Sequence, residues 1–302
     1  MVSALDERTA LVALLNERPK GVKWPAITAD VIEAGSAVAV WERLVPPLLI
    51  DEPGVESPLW TAQTQLERWA ADGLRLLTVL DPDYPGRLRD IHQAPPVLFA
   101  RGEVRGEERA VSVVGSRNAS ERGLAIADAV ARELVAMEIS VVAGLALGID
   151  TAAHRAALDA GGRTVAVIGT GINKAYPASN RELQEEIANR GLLLSQFWPD
   201  APPQKHTFLM RNATMSGFGI ATVVVEAGEQ SGARAQARMA VEHGRPVILT
   251  DLVVAKNEWA KALVGRPGVE VASGLADVVE AVKRTLDDGD AVKGALSALA
   301  LA

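Results

Sequence analysis

The chain has 302 residues, 48% of them hydrophobic, no cysteine and a formal charge of −7. That is apolar material for a main domain plus a smaller companion, and it excludes a wholly disordered chain, disulfides, thiolate metal sites and a cysteine nucleophile. No apolar run reaches the roughly 18 residues that span a bilayer, and Asp6, Glu7 and Arg8 ahead of Leu11 do not make a secretory leader, so a cytoplasmic location is expected.

Residues 5–70 read as helices over 5–16, 26–34, 37–44 and 60–71, interrupted by Pro19, Pro46, Pro47, Pro53 and Pro58 and carrying four of the six tryptophans. This predicts a small helical domain over 1–72. An apolar segment, 74–80, then gives way to Asp81-Pro82-Asp83-Tyr84-Pro85-Gly86 and to Pro95-Pro96-Val97-Leu98-Phe99, which predicts an extra strand or two.

From residue 110 the pattern becomes strand, glycine-rich turn, helix, repeated. Apolar runs at 111–114, 139–143, 164–168, 192–194, 221–225 and 246–249 have the continuous hydrophobicity of parallel strands covered on both faces. Helices are predicted over 121–137, 151–160, after Asn180, and over 233–243, while the stretch from 195 to Gly219 reads as polar connection. A last helix at 258–264, a strand at 269–271 and a helix at 275–286 close the unit, with a flexible tail over 287–302. Alternation of this kind makes right-handed crossovers and an α/β fold, here an extended Rossmann-like doubly wound parallel sheet over 73–286.

In such a sheet, ligands bind outside the carboxyl ends of the strands, where loops expose N–H groups and helix N-termini attract anions. Several predicted strand ends carry glycine with a polar residue: Gly115-Ser116-Arg117, Gly144 with Asp150, Gly169-Thr170-Gly171, and Glu226 followed by Ser231-Gly232. Gly115 lets backbone approach a phosphate beside a hydroxyl and a guanidinium fork, although an ordinary strand-to-helix turn has the same look. Lys205, His206, Phe208, Arg211 and Asn212 place cations and an aromatic ring within eight residues, the mixture that single-stranded nucleic acid needs; Phe208 suits a core position equally well. Glu226 is open to three roles: a carboxylate for sugar or acid–base chemistry, a helix cap, or a partner of Arg211. Asp150 and His154 are expected to hold the Gly144 loop.

Some classes are excluded by what is missing. There is no G-x-x-x-x-G-K-[ST] loop, and Gly169-Thr170-Gly171 lacks the third glycine of a dinucleotide turn, so neither a P-loop ATPase nor a dehydrogenase is expected, and no cofactor. The four histidines show no metal-ligand spacing, and no metal site is expected. The acidity lies in the flanks: residues 1–110 carry 12 basic and 17 acidic groups, residues 111–250 carry 13 of each, and residues 251–302 carry 6 and 8. Anion binding should therefore be local.

Taken in order, Gly-Ser-Arg at 115–117, Gly-Leu-Ala-x-Gly-Ile-Asp at 144–150 with Ala-Ala-His at 152–154, Gly-Thr-Gly at 169–171, Tyr-Pro-x-x-Asn at 176–180, Arg-Asn at 211–212, Val-Val-Glu-Ala at 224–227 with Ser-Gly at 231–232, and Gly-Arg-Pro-Val at 244–247 resemble the DNA-processing protein A (DprA/Smf) family. The likeness covers about residues 74–250. It implies binding of single-stranded DNA, homodimerisation, and the loading of a RecA-type recombinase onto incoming DNA in natural transformation, without catalysis. Carried onto this chain, Arg117, Lys205 and Arg211 would contact phosphates, with Gly115, Ser116, Gly144, Gly169, Thr170, Gly171, Asn212, Ser231 and Gly232 around them. The departures are Leu147 and Ala213 where the family has arginine, Gln196 for Glu, Gln236 for Thr, and Thr250-Asp251 for Pro-Gly, with no winged-helix-like domain following. These losses of cations leave a rival open, a small-nucleotide-binding protein or nucleotide N-glycosidase on the same fold using Glu226.

Overall fold

The computed structural model describes residues 5–45, 57–106 and 108–300. The chain opens with four helices, α1 (Glu7–Glu17), α2 (Trp24–Ala34), α3 (Ala37–Leu44) and α4 (Pro58–Ala71). Asp6 caps α1 by accepting from the N–H groups of Arg8 and Thr9 at 2.9 and 3.1 Å, and Thr9 through Leu15 are all buried. A helix apolar on every side is a central helix, and α1 packs against both α3 and α4. The breaker prolines Pro46, Pro47 and Pro53 lie outside the described residues.

The rest of the chain builds one sheet with helices on both faces. In order come β1 (Arg75–Thr78), α5 (Gly86–Arg89), β2 (Val97–Gly102), β3 (Ala110–Gly115), α6 (Glu121–Ala136), β4 (Ser140–Ala143), α7 (Ile149–Asp159) and β5 (Thr164–Val167). They are followed by α8 (Arg181–Arg190), β6 (Leu192–Ser195), α9 (Lys205–Phe218), β7 (Ala221–Glu226), α10 (Gly232–Glu242), β8 (Val247–Thr250), α11 (Asp251–Lys256), α12 (Glu258–Lys261), β9 (Val269–Ala272) and α13 (Leu275–Ala300). The helix expected to end near 286 continues to Ala300, and Asp290 on it pairs with Arg109 at 2.9 Å.

The strand order is β1-β2-β6-β5-β4-β3-β7-β8-β9. All pairs from β6 to β9 are parallel, and the predicted extra strands β1 and β2 are added antiparallel at one edge. From β3 the chain walks outward through β4, β5 and β6, then crosses back through α9 to lay β7 against the other side of β3. The reversal opens a crevice at the carboxyl ends of β3 and β7, where a doubly wound fold holds its ligand. The parallel strands β4, β5, β6 and β8 are buried along their whole length, as their continuous apolar runs require.

The helical bundle is joined to the sheet edge by aromatic rings. Trp198 lies 5.0 Å from Trp24 and 5.3 Å from Trp69, and Trp69 meets Phe99 of β2 edge-on at 4.9 Å. Such contacts add roughly 0.5–1.5 kcal/mol each beyond the area they bury. One apolar core therefore runs from α1 to the interior of the sheet.

Candidate functional site

The first wall of the crevice is the loop from β3 to α6. Ser116 donates its N–H to the Glu226 carbonyl, Asn118 N–H donates to Ser116 Oγ at 3.1 Å, and Ser120 caps α6 by accepting from Gly123 N–H at 3.1 Å. With both loop ends tied, Arg117 stands exposed at the tip. Its guanidinium lies 5.5 Å from the centre of the Phe208 ring; among the described residues it forms no ion pair, and its charge acts on the buried Asp150 carboxylate.

The loop after β4 is held by its own polar groups. The Asp150 carboxylate accepts from the N–H groups of Gly144 and Ala146 at 2.9 and 3.3 Å, and Asn180 Nδ2 donates to the Leu145 carbonyl at 3.0 Å and to Thr151 Oγ1 at 2.9 Å. Burial pushes the Asp150 carboxyl above the usual carboxylate range, against the charge of Arg211 and the two N–H bonds. Asp150 thus holds the Gly144 loop as expected, whereas His154 sits beneath it, bonded to Thr164 Oγ1 at 2.6 Å, with burial depressing its pKa to about 3.

The second wall is α9, a helix where the polar sequence predicts a connection. Lys205, Phe208, Arg211 and Asn212, and Met215 follow one another at helical spacing, so one face of α9 lines the crevice. Lys205 is exposed at the first turn. Arg211, by contrast, is only 5% exposed; its Nη1 donates to the carbonyls of Gly144 and Val167 at 2.5 and 2.8 Å, and its Nε to Asn212 Oδ1 at 3.2 Å. The expected phosphate contact at Arg211 therefore gives way to a clamp between the ends of β4 and β5. Gly144 is glycine for this reason, since a Cβ there would fall 1.8 Å from Arg211 Nη1.

The floor is the turn from β7 to α10, where Ser231 caps the helix by accepting from Ala233 N–H at 3.2 Å and Gly232 begins it. Together the walls enclose a cavity of about 550 Å³, whose lining includes Gly115, Ser116, Arg117, Lys205, Arg211, Asn212, Ser231 and Gly232. Eight of the expected residues thus meet in one place. Gly144 lines an adjoining hollow of about 70 Å³ instead, shared with Arg117, Leu147, Tyr176 and Phe208.

Gly169, Thr170 and Gly171 do not line either space. The Gly169 carbonyl accepts from Thr207 Oγ1 at 2.6 Å, the Thr170 carbonyl accepts from Ser195 Oγ at 2.6 Å, and the Phe208 ring fills the position a Cβ on Gly169 would need. This loop seats the start of α9. Glu226 is likewise engaged: Oε2 accepts from the N–H and the hydroxyl of Ser120, both at 2.9 Å, so the carboxylate serves the cap of α6 and neither pairs with Arg211 nor faces the cavity. The catalytic alternative at Glu226 loses its geometry. Polar and aromatic lining residues not expected as site residues include Asn118, Asp150, Phe208, Gln230 and Gln236 in the cavity, and Tyr176, 43% exposed, at the hollow. Tyr176 had a signal in Tyr-Pro-x-x-Asn, Asp150 in Gly-Leu-Ala-x-Gly-Ile-Asp and Phe208 in the cationic segment, whereas Gln236 is visible only as a departure.

Among the described residues no group of acidic or histidine side chains could hold a metal, and no helix is long and apolar enough to cross a membrane. The family model described as DNA recombination-mediator protein A matches residues 75–285. The chain belongs to that family. The DNA processing protein DprA of Streptococcus pneumoniae is 42% identical over 171 residues, which cover 56% of this chain and 60% of the relative. The solved structure of DNA processing protein A from the same species matches with a TM-score of 0.65 at 29% identity, covering 92% of this chain and 94% of that one. DNA processing protein A from Helicobacter pylori, solved for its single-stranded DNA binding mode, shares the fold at a TM-score of 0.62 and 22% identity, over 70% of this chain and 96% of that one. The chain spans about half to two thirds of the length of curated relatives it matches. The Rossmann-like sheet expected from the motifs is thus the fold of the DprA/Smf family.

Proposed function

We propose that this DprA-family chain binds single-stranded DNA in the crevice and acts in DNA processing, loading a RecA-type recombinase onto incoming strands as a cytoplasmic homodimer, without catalysis or cofactor. Residues 1–72 serve as a helical accessory domain and residues 73–286 as the DNA-binding unit. One observation carries the reading. Arg117 and Lys205 are exposed cations that form no ion pair among the described residues, although Arg117 acts on the buried Asp150 carboxylate, and they stand with the Phe208 ring at an open cavity floored by the N-terminus of α10. Cations for phosphates beside an aromatic face for a base is the pattern of single-strand binding.

Each residue then has a role. Arg117 and Lys205 contact phosphates, Gly115, Ser116, Ser231 and Gly232 offer N–H and hydroxyl groups to phosphate oxygens, and Asn212 lines the path. Arg211 acts through Gly144 as a positioning residue. The single-stranded DNA binding for which the Helicobacter pylori protein was solved supports the choice of ligand, as does membership of the family.

The test is a salt titration of oligonucleotide binding by the purified chain. The logarithm of affinity should fall steeply with the logarithm of salt, and Arg117→Ala should weaken binding while lowering the slope by about 0.7, the value of one single-strand phosphate contact. An unchanged slope in Arg117→Ala sinks the assignment.

A further inference from the structure

The crevice does not end at Leu209. That side chain, half exposed, lines the cavity on one side and a groove of about 230 Å³ on the other. The groove follows the seam between α9 and α10: Asn212 and Gln236 line the cavity, while Ala213 and Met239, one and three positions further on, line the groove. Its far end is Trp24 and Pro25, at the start of α2.

No charged residue lines this groove, and the polar groups it leaves available are donors. Gln93 Oε1 accepts from His243 Nε2 at 2.5 Å, and Gln196 Oε1 accepts from Thr214 Oγ1. Both amide nitrogens are left without a partner among the described residues, and Gln196 is only 5% exposed, so its amide is fixed in place. Methionine side chains for ring faces beside amide N–H groups for carbonyl edges suit a pyrimidine base.

Beyond Trp24 the surface turns cationic. The turn between α1 and α2 and its junction with α2 carry Arg18, Lys20 and Lys23, all exposed. Of the five cations in residues 5–45, Arg8 and Arg43 pair with Asp81 and Asp30 at 3.1 and 2.7 Å, whereas these three form no ion pair among the described residues. The Arg18 guanidinium lies 5.9 Å from the centre of the Trp24 ring, which brings positive charge to the end of the groove. Arg18 and Lys20 have φ of 46° and 57°, so two long cations stand in left-handed backbone that glycine adopts with least strain.

We propose that the groove and the turn between α1 and α2 form a second stretch of the single-strand path, reached from the cavity over Leu209. The inference rests on the single-stranded DNA reading of the cavity. Bases lie against Met210 and Trp24, the amides of Gln93 and Gln196 donate to their carbonyl oxygens, and Lys20 and Lys23 take the phosphates that follow. The helical domain thereby shares the strand with the sheet.

Binding of oligothymidylates to the full chain, followed by fluorescence anisotropy, separates the two stretches if one oligomer is about four nucleotides long and the other about sixteen, the limits of common single-strand site sizes. The double variant Lys20→Gln/Lys23→Gln should bind the short oligomer as wild type does, bind the long one about tenfold more weakly, and lose about 1.4 from its salt slope, two contacts' worth. Met210→Glu, which sets a carboxylate in the groove at an exposed position, should weaken the long oligomer several-fold and leave the short one alone. Wild-type binding of both lengths with no loss in either variant overturns the second stretch and leaves the cavity intact. Binding of neither length by wild type overturns both. Equal loss for both lengths in the double variant assigns the lysines to the general field of the protein, and also overturns the proposal.

Discussion

Two strand ends that look alike in sequence do different work in the fold. Gly115-Ser116-Arg117 and Gly169-Thr170-Gly171 both follow buried parallel strands and both carry glycine beside a hydroxyl. In the first, the backbone is anchored by Glu226 and Ile149 while the Arg117 side chain is left to solvent and to the Phe208 ring. In the second, the hydroxyl of Thr170 turns inward to the Lys174 carbonyl at 3.2 Å, and the carbonyls of Gly169 and Thr170 are taken by Thr207 and Ser195. A polar strand end reads a ligand only where its donors remain available after the loop has been held. Arg117 and Arg211 show the same division within one cavity, one presenting its guanidinium and the other enclosing it.

The largest effect that could break this comparison is at Arg211. Arg211→Ala leaves the carbonyls of Gly144 and Val167 without a donor and should cost about 3 kcal/mol in urea unfolding. Arg211→Lys should restore little of it, because one ammonium cannot reproduce the fork. A variant of normal stability that only loses DNA binding would return Arg211 to the ligand.

Acid offers a second separation. Burial, with help from His92 and Arg245, holds the His243 pKa down at about 4, where the ring bonds Gln93 and Ser216. The unfolded chain takes up a proton near pH 6.5 that the folded one refuses, so the melting temperature should be flat above about pH 6.5 and fall toward pH 4. His243→Gln should make that fall shallower without abolishing it, because the buried His154, held at about 3, refuses a proton in the same range; circular dichroism follows both. A melting temperature that rises between pH 6.5 and 4 would contradict the buried neutral ring.

Smaller effects sharpen the contrast between the loops. Thr170→Val should lower stability by about 1 kcal/mol and leave the salt slope untouched, while Arg117→Ala should change stability by no more than about 0.5 kcal/mol and alter the slope. The smallest expected change is at Leu147, 45% exposed at the lip of the adjoining hollow. Leu147→Arg should add about 0.7 to the salt slope if it gains one phosphate. No change in slope would place Leu147 off the strand's path.

Much of the sheet was legible because buried parallel strands announce themselves as short apolar runs, and the reversal beside β3 follows from their order. Helix α9 was not. Its buried positions include Thr207, Arg211, Asn212, Thr214 and Ser216, each bonded to a partner distant in sequence, such as Gln196 for Thr214 and His243 for Ser216. A helix buried through polar side chains has no apolar stripe to count. The cavity itself was half legible. Gly-Ser-Arg marked Arg117, but whether Arg211 faces solvent or two carbonyls depends on how closely Gly144 approaches, which spacing along the chain does not encode.

The bond from Ser120 to Glu226 spans 106 residues of chain. Because β7 must cross back through α9 before it can pair with β3, the crevice closes late in synthesis, after β4, β5 and β6 are already in line. Until then β3 is an open sheet edge, with a row of unpaired N–H and carbonyl groups available to other chains. A chain stopped before β7 would hold β1 to β6 in line with β3 as an open edge and no crevice, so the pairing that builds the crevice is also the one that covers that edge.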